Sequence, residues 1–264
     1  MIPSFLIKAI LSGVLTGLIT SLVGVPVVLR RMAFFGSGIA HVSFAGIGLA
    51  LFFDFDPFLI SLILAMGVAI VLGYLTRKGV HEDIGMGILF SLSMAVGIIF
   101  ISFGGKYTGD ILAYLFGDIL AVTENDLKIL LGVSIVVLLF TIFFGEKLIY
   151  MTLDEEFSKV IGIPTTLIYF LYLLILAVVV VVSIKVLGII LVSAMLVIPV
   201  ATTMILFKNY KKMFTISPLL SIGSVFLGLS LSYYLDIPSG ASIVAILGGI
   251  FFLTLVIRRG IRNG

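Results

Sequence analysis

His41 sits midway along the apolar run 32–53, where an ionisable side chain is least expected by chance. Ionisable groups are expensive in an apolar span, so such a residue is functional by default. Neutral imidazole is a good ligand for zinc and other first-row divalent metals, and a poor one for a sugar or a lipid. The same ring can instead hydrogen-bond a backbone carbonyl and hold two helices together, and the ring alone does not choose between the two. Ser37 lies four residues before it and Ala45 four after, so the three share one helical face. Between Phe34 and Ala50, nine of seventeen residues are glycine, alanine or serine. Side chains this small let another helix, or a substrate, approach the backbone closely.

Two other stretches carry functional residue types. Leu153–Ile163 reads LDEEFSKVIGI. Asp154, Glu155 and Glu156 suit a helix N-terminus, Lys159 stands four residues after Glu155, and Gly162 suits the end. The stretch therefore predicts a short amphipathic helix over about 153–163, with Phe157, Val160 and Ile161 as an apolar ridge. Such a ridge fits either a membrane surface or a groove on a partner. Three acidic residues disfavour the surface, because cytoplasmic leaflets are negative. In the second stretch, Pro199 removes a backbone hydrogen bond from an apolar span that also holds Ser193, Thr202 and Thr203. A kinked helix with hydroxyls can line a pathway or simply pack. His81 lies among Arg77, Lys78, Glu82 and Asp83 and reads as a solvated surface residue.

The elements that must position these residues follow from composition. The chain is 61% hydrophobic and 11% charged, with a mean hydropathy of +1.37. A soluble domain is roughly a quarter charged, so this chain has too little polar cover to be one. Disorder is excluded by the same numbers. The absence of cysteine excludes thiolate metal sites, disulfides and thiol redox chemistry. Nine apolar runs, at 5–29, 32–53, 57–75, 84–103, 127–145, 164–184, 186–207, 213–235 and 238–257, mostly reach the roughly 20 residues that cross a hydrocarbon core. The first reads as a span, not as a cleavable signal. Asp110–Thr123 is apolar but short and carries Asp110 and Asp118, which predicts a re-entrant segment. The expected architecture is an all-α polytopic membrane bundle of 8–9 transmembrane helices plus that segment. No soluble domain is expected within it: residues 1–264 form one membrane domain.

Orientation follows from the basic residues. Arg30, Arg31, Arg77, Lys78, Lys147, Lys159, Lys208, Lys211, Lys212, Arg258, Arg259 and Arg262 fall on one side. Lys8, Lys106, Lys128 and Lys185 fall on the other, provided that 110–123 does not cross. Twelve against four places the first set and the C-terminus in the cytoplasm of a cell (inner or plasma) membrane protein. No P-loop, no HExxH and no Ser/His/Asp arrangement is present, so a membrane enzyme is poorly supported. Scarce intramembrane carboxylates argue against an ion-coupled secondary transporter. A structural or assembly factor would need no pathway at all. No nucleic-acid partner is expected.

Several blocks, in order, make the chain similar to one family. VLRRMAFFGSGIAHVSFAGIGLA (28–50), EDIGMGILF (82–90), YLFGDILAVTENDL (114–127), DEEFSKVIGI (154–163) and VLGIILVSAMLVIPVATT (186–203) resemble segments of the integral-membrane permeases of zinc, manganese and iron ABC importers. The resemblance implies a non-catalytic permease domain and a pathway at the interface with a second permease copy, here a homodimer. It further implies a cytoplasmic ATPase subunit that holds the ATP, and an extracytoplasmic metal-binding protein that delivers the ion. The chain would bind no cofactor of its own, and the divalent metal would be cargo. His41 falls on the histidine of the family's metal-pathway motif, with Ser37, Ser193, Pro199 and Thr202 as further pathway candidates. Asp154, Glu155, Glu156, Phe157, Lys159 and Gly162 fall on its ATPase-coupling helix. The motif's aspartate is Ser37 here, a departure that removes a hard carboxylate and favours zinc over manganese or iron. Within the ABC class, an importer of metal chelates or vitamins is the nearest alternative.

Overall fold

The computed structural model describes residues 4–104 and 119–263, which are all-α. The helices are α1 (Ser4–Leu29), α2 (Ala33–Phe53), α3 (Pro57–Arg77), α4 (Glu82–Gly104), α5 (Glu124–Leu153), α6 (Glu155–Val160), α7 (Thr165–Leu206), α8 (Tyr210–Leu235) and α9 (Ser239–Asn263). A 3-10 turn, Ile119–Ala121, precedes α5. Polar residues set several boundaries by satisfying the first free N–H groups. The Asp56 carboxylate accepts from the Leu59 N–H at 2.7 Å, with Pro57 in the first helical position of α3. Thr123 and Asp126 form a reciprocal capping box at the start of α5.

Eight of these helices are long and apolar enough to cross a membrane. α7 has 42 residues, about 63 Å if straight, twice the roughly 30 Å hydrocarbon core. It does not run straight. The Tyr172 hydroxyl donates to the Val23 carbonyl at 2.8 Å, and the Leu196 carbonyl lies so close to Gly24 that a Cβ there would collide with it. Two residues that a straight helix would hold about 36 Å apart thus touch adjacent residues of α1. The reversal falls at Gly188, with φ 79° and ψ 165°, a region essentially reserved for glycine. α7 is a hairpin of two arms, 165–187 and 189–206, and eight long helices supply nine crossings.

The nine apolar runs are therefore matched, with one local correction. The sequence places the connection at Lys185 and a kinking proline, Pro199, inside the span that follows. The structure runs helix through both and turns on Gly188 alone, while Pro199 lies buried inside the second arm. A proline costs little where neighbouring helices pack around the gap it leaves.

α1, α2 and α7 bury most of their surface, whereas α3, α4, α5, α8 and α9 present exposed apolar faces, among them Ile142, Phe143, Phe252 and Val256. Such faces need no cover in lipid. The buried hydroxyls of α1 at Ser12, Thr16, Thr20 and Ser21 each donate to a carbonyl one turn back in the same helix, so none needs water.

Ion pairs sort to two ends. Lys8–Glu124 at 3.1 Å and Lys185–Asp126 at 2.6 Å mark one, and Arg30–Glu82, Arg77–Glu155 and Lys211–Glu146 mark the other. α4 starts at the arginine end and reaches the opposite one, where Phe100 meets Phe52 and Phe53 at the end of α2. α5 starts at that same opposite end. The end of α4 and the start of α5 thus lie at the same end of the bundle. The expected re-entrant segment lies largely outside the described residues. Of its last residues, Ile119 packs against Gly13, more than a turn of α1 deeper than Lys8.

Candidate functional site

His41 is half-buried on α2. Its Nδ1 lies 2.8 Å from the backbone carbonyl of Ser37, one turn back. A carbonyl can only accept, so Nδ1 carries the proton, which in the neutral ring leaves the lone pair on Nε2. Metal-binding histidines are commonly held in this way, one nitrogen fixed by a carbonyl and the other free to ligate. The accepting carbonyl belongs to α2 itself, so this bond does not tie two helices together, as one reading of the sequence had it. Phe90 of α4 covers the imidazole, with ring centroids 4.4 Å apart and planes tilted by 56°. Phe90 was not singled out from sequence, although it ends the block 82–90.

Small residues decide how close the neighbours come. Met86 of α4 fills the notch at Gly38, where any Cβ would strike its sulfur, and Leu196 of α7 packs on Gly36. The Ser61 hydroxyl of α3 donates to the Ser43 carbonyl at 2.9 Å, with Gly46 against the Ser61 backbone. The small-residue run therefore lets three helices converge on the part of α2 that carries Ser37 and His41.

The other pathway candidates are placed differently. Thr202 is buried and donates to the Ile198 carbonyl of its own helix at 2.8 Å. Ser193 is half-buried and donates to Ile189 at 3.2 Å. Thr203 and Ser217 share a hydrogen bond of 2.8 Å that ties α7 to α8. Pro199 is enclosed in the core. No group of three or more His, Cys, Asp or Glu side chains that could hold a metal occurs among the described residues.

The predicted amphipathic helix is present as α6. Asp154 caps it by accepting from the Phe157 N–H at 2.9 Å. Its end is a Schellman turn: Ile163 donates to the Ser158 carbonyl and Gly162 to that of Lys159, with Gly162 left-handed at φ 84°. Glu155 pairs with Lys159 at 3.2 Å and with Arg77 at the end of α3. Burial pushes its carboxyl up, but hydrogen bonds and charge from Arg77 and Lys159 outweigh this and hold it below the ordinary glutamate range. Glu156 is exposed. Phe157 and Ile161 are more than half exposed and Val160 is 84% exposed, an apolar ridge outside any apolar span. His81 is exposed, as the sequence indicates.

The sequence reading used Arg30 and Arg77 as charges that set topology, and Arg30 and Glu82 as parts of the family-like blocks 28–50 and 82–90, without joining them. The structure brings them together around Tyr169, with Arg30 Cζ 4.7 Å and Arg77 Cζ 5.2 Å from its ring centroid. The Tyr169 hydroxyl donates to Glu82 at 2.6 Å. A legible signal was the position of each charge within two or three residues of a span end.

Comparison with known proteins places this geometry. Residues 3–258 match the model of the ABC 3 transport family. The chain is 34% identical over 252 residues to a manganese transport system membrane protein, MntC, of Halalkalibacterium halodurans, covering 95% of this chain and 86% of the relative. It is 36% identical over 236 residues to a high-affinity zinc uptake system membrane protein, ZnuB, of Buchnera aphidicola, covering 89% and 90%. Among solved structures, PsaBC from Streptococcus pneumoniae in complex with Fab superposes with a TM-score of 0.83 at 30% identity, over 96% of this chain and 91% of that one. With the match running from the first crossing to the last, the chain belongs to the ABC 3 transport family and is a multi-pass membrane permease.

Proposed function

We propose that this permease carries a divalent metal ion into the cytoplasm, driven by ATP that a separate subunit hydrolyses. The observation that carries the reading is His41: an imidazole inside a crossing, with Nδ1 occupied by Ser37 and Nε2 free. Relatives named for manganese and for zinc support the substrate class. Zinc is favoured, because zinc is content with imidazole whereas manganese prefers carboxylate oxygen, and Ser37 supplies only a neutral hydroxyl on that face. The remaining ligands come from water, from the ion's path, or from a second copy of the chain across a homodimer interface.

The α6 ridge of Phe157, Val160 and Ile161 serves as the docking surface for the ATPase. The excess of basic residues at the same end puts it, and the C-terminus, in the cytoplasm. An extracytoplasmic metal-binding protein then delivers the ion at the Lys8–Lys185 end.

The test is uptake of zinc and of manganese into proteoliposomes holding the chain and its ATPase, with and without ATP, for wild type and His41→Ala. Uptake that needs ATP and collapses in the variant, with assembly and ATPase rate retained, is the expected result. Uptake that persists without ATP overturns the ATP-driven reading. Unaltered transport in His41→Ala removes the residue from the pathway.

A further inference from the structure

The polar cluster at the arginine end of the bundle joins four helices, and it is incompletely satisfied. Tyr169 of α7 is 1% exposed, packs against the guanidiniums of Arg30 and Arg77 and donates to Glu82 Oε1. Arg30 reaches that same carboxylate oxygen only at 3.8 Å. Buried around them, Arg30 Nη1 and Arg77 Nε and Nη2 find no acceptor among the described residues. Buried donors without partners are costly, most of all on charged groups. Glu82 is thus contested: Tyr169 holds it, while Arg30 beside it has donors to spare.

The cluster also lies on a short path to the site. Glu155 of α6 pairs with Arg77, the last residue of α3. Glu82 is the first residue of α4. One turn along α4, Met86 sits in the Gly38 notch between Ser37 and His41. A further turn along, Phe90 covers the His41 ring. A shift of the α4 start reaches the site through contacts that include these two, because closely packed helices transmit displacement rather than absorb it.

We propose that Tyr169, Glu82, Arg30 and Arg77 form a two-position latch that carries movement of α6 to Phe90 and His41. In the position seen here, Glu82 accepts from Tyr169, Arg30 Nη2 stays 3.8 Å from it, and Arg30 Nη1 has no acceptor among the described residues. When α6 draws Arg77 away through Glu155, the Glu82 carboxylate turns to Arg30 Nη1 and Nη2, Tyr169 lets go, and α4 moves with Met86 and Phe90. The four are positioning residues, and none touches the ion. This rests on the reading of α6 as the ATPase docking helix.

The test uses the chain assembled with its ATPase in proteoliposomes and Ser37→Cys as a reporter, since the chain has no cysteine of its own. Maleimide labelling of position 37 is followed with and without ATP. Tyr169→Phe keeps the ring against both guanidiniums but deletes the hydroxyl. Arg77→Glu breaks the link to α6, and Arg77→Glu with Glu155→Arg rebuilds it reversed. The ATP-induced change in labelling rate is expected to shrink about 2- to 30-fold in Tyr169→Phe and in Arg77→Glu, and to return in the double reversal. A full ATP response in Tyr169→Phe overturns the latch. So does a double reversal that restores nothing while ATPase binding is at the wild-type level. A reporter chain whose labelling ignores ATP altogether overturns the docking reading, and the latch with it.

Discussion

A carboxylate at position 37 would share the helical face of His41, which is why the serine there matters more than its weak ligand chemistry suggests. Ser37→Asp is expected to raise manganese uptake relative to zinc by about tenfold or more, the scale on which single groups around a metal change its affinity. Competition between the two ions in the same vesicles checks it, and an unaltered ratio shows that position 37 does not meet the ion. The backbone of Ser37 is committed whatever the side chain, since its carbonyl holds Nδ1 of His41. His41 and Ser37 were legible in sequence because a charge-capable residue in an apolar run has few ordinary explanations. Phe90 was not, because one phenylalanine among 22 carries no mark until a neighbouring helix sets it over the ring.

α7 and α6 are the elements whose local geometry decides most. The Gly188 backbone is in a region that costs other residues about 1–3 kcal/mol, so Gly188→Ala is expected to destabilise the bundle by that amount. A thermal melt in detergent reads it, and an unchanged midpoint means the reversal tolerates a Cβ. α6 is anchored through Glu155, whose folded pKa is depressed by Arg77 and Lys159 against the effect of burial. A depressed carboxylate contributes its stabilisation above the unfolded value of about 4.3 and loses it as pH falls through the still lower folded value. Hydrogen exchange over 154–160 should therefore be flat from neutral pH down to about 4 once corrected for intrinsic rates, and should rise below it. In Glu155→Gln the rise should be absent. A wild-type rise well above that range would point to a different anchoring group.

At the scale of the whole molecule, the ion pairs and the hairpin in α7 give the described residues nine alternating crossings, and the count of basic residues predicts which end faces the cytoplasm. A chain without cysteine makes this directly testable. Lys212→Cys, exposed at the start of α8, is expected to resist an impermeant thiol reagent in intact cells and to react after lysis. Asp236→Cys, exposed just past its other end, is expected to react in both. The reverse pattern would invert the protein and place α6 out of reach of any cytoplasmic ATPase.

Read alone, the sequence showed that the chain lives in a membrane, that it carries eight or nine crossings, where the short amphipathic helix lies, and that His41 is the residue to explain. These follow from hydropathy, length and charge, which act residue by residue along the chain. The fold was needed to show that α7 reverses at Gly188, three residues beyond the connection expected at Lys185. The torsion that turns a chain is a backbone property, open to a glycine but not announced by one. Tertiary structure likewise brought Arg30, Arg77, Glu82 and Tyr169 to one point and laid Met86 and Phe90 against α2. Helix association in lipid rests on close packing and polar contact, not on burial of apolar surface. It is therefore set by which small residues come to face which side chains, and no one-dimensional pattern contains that.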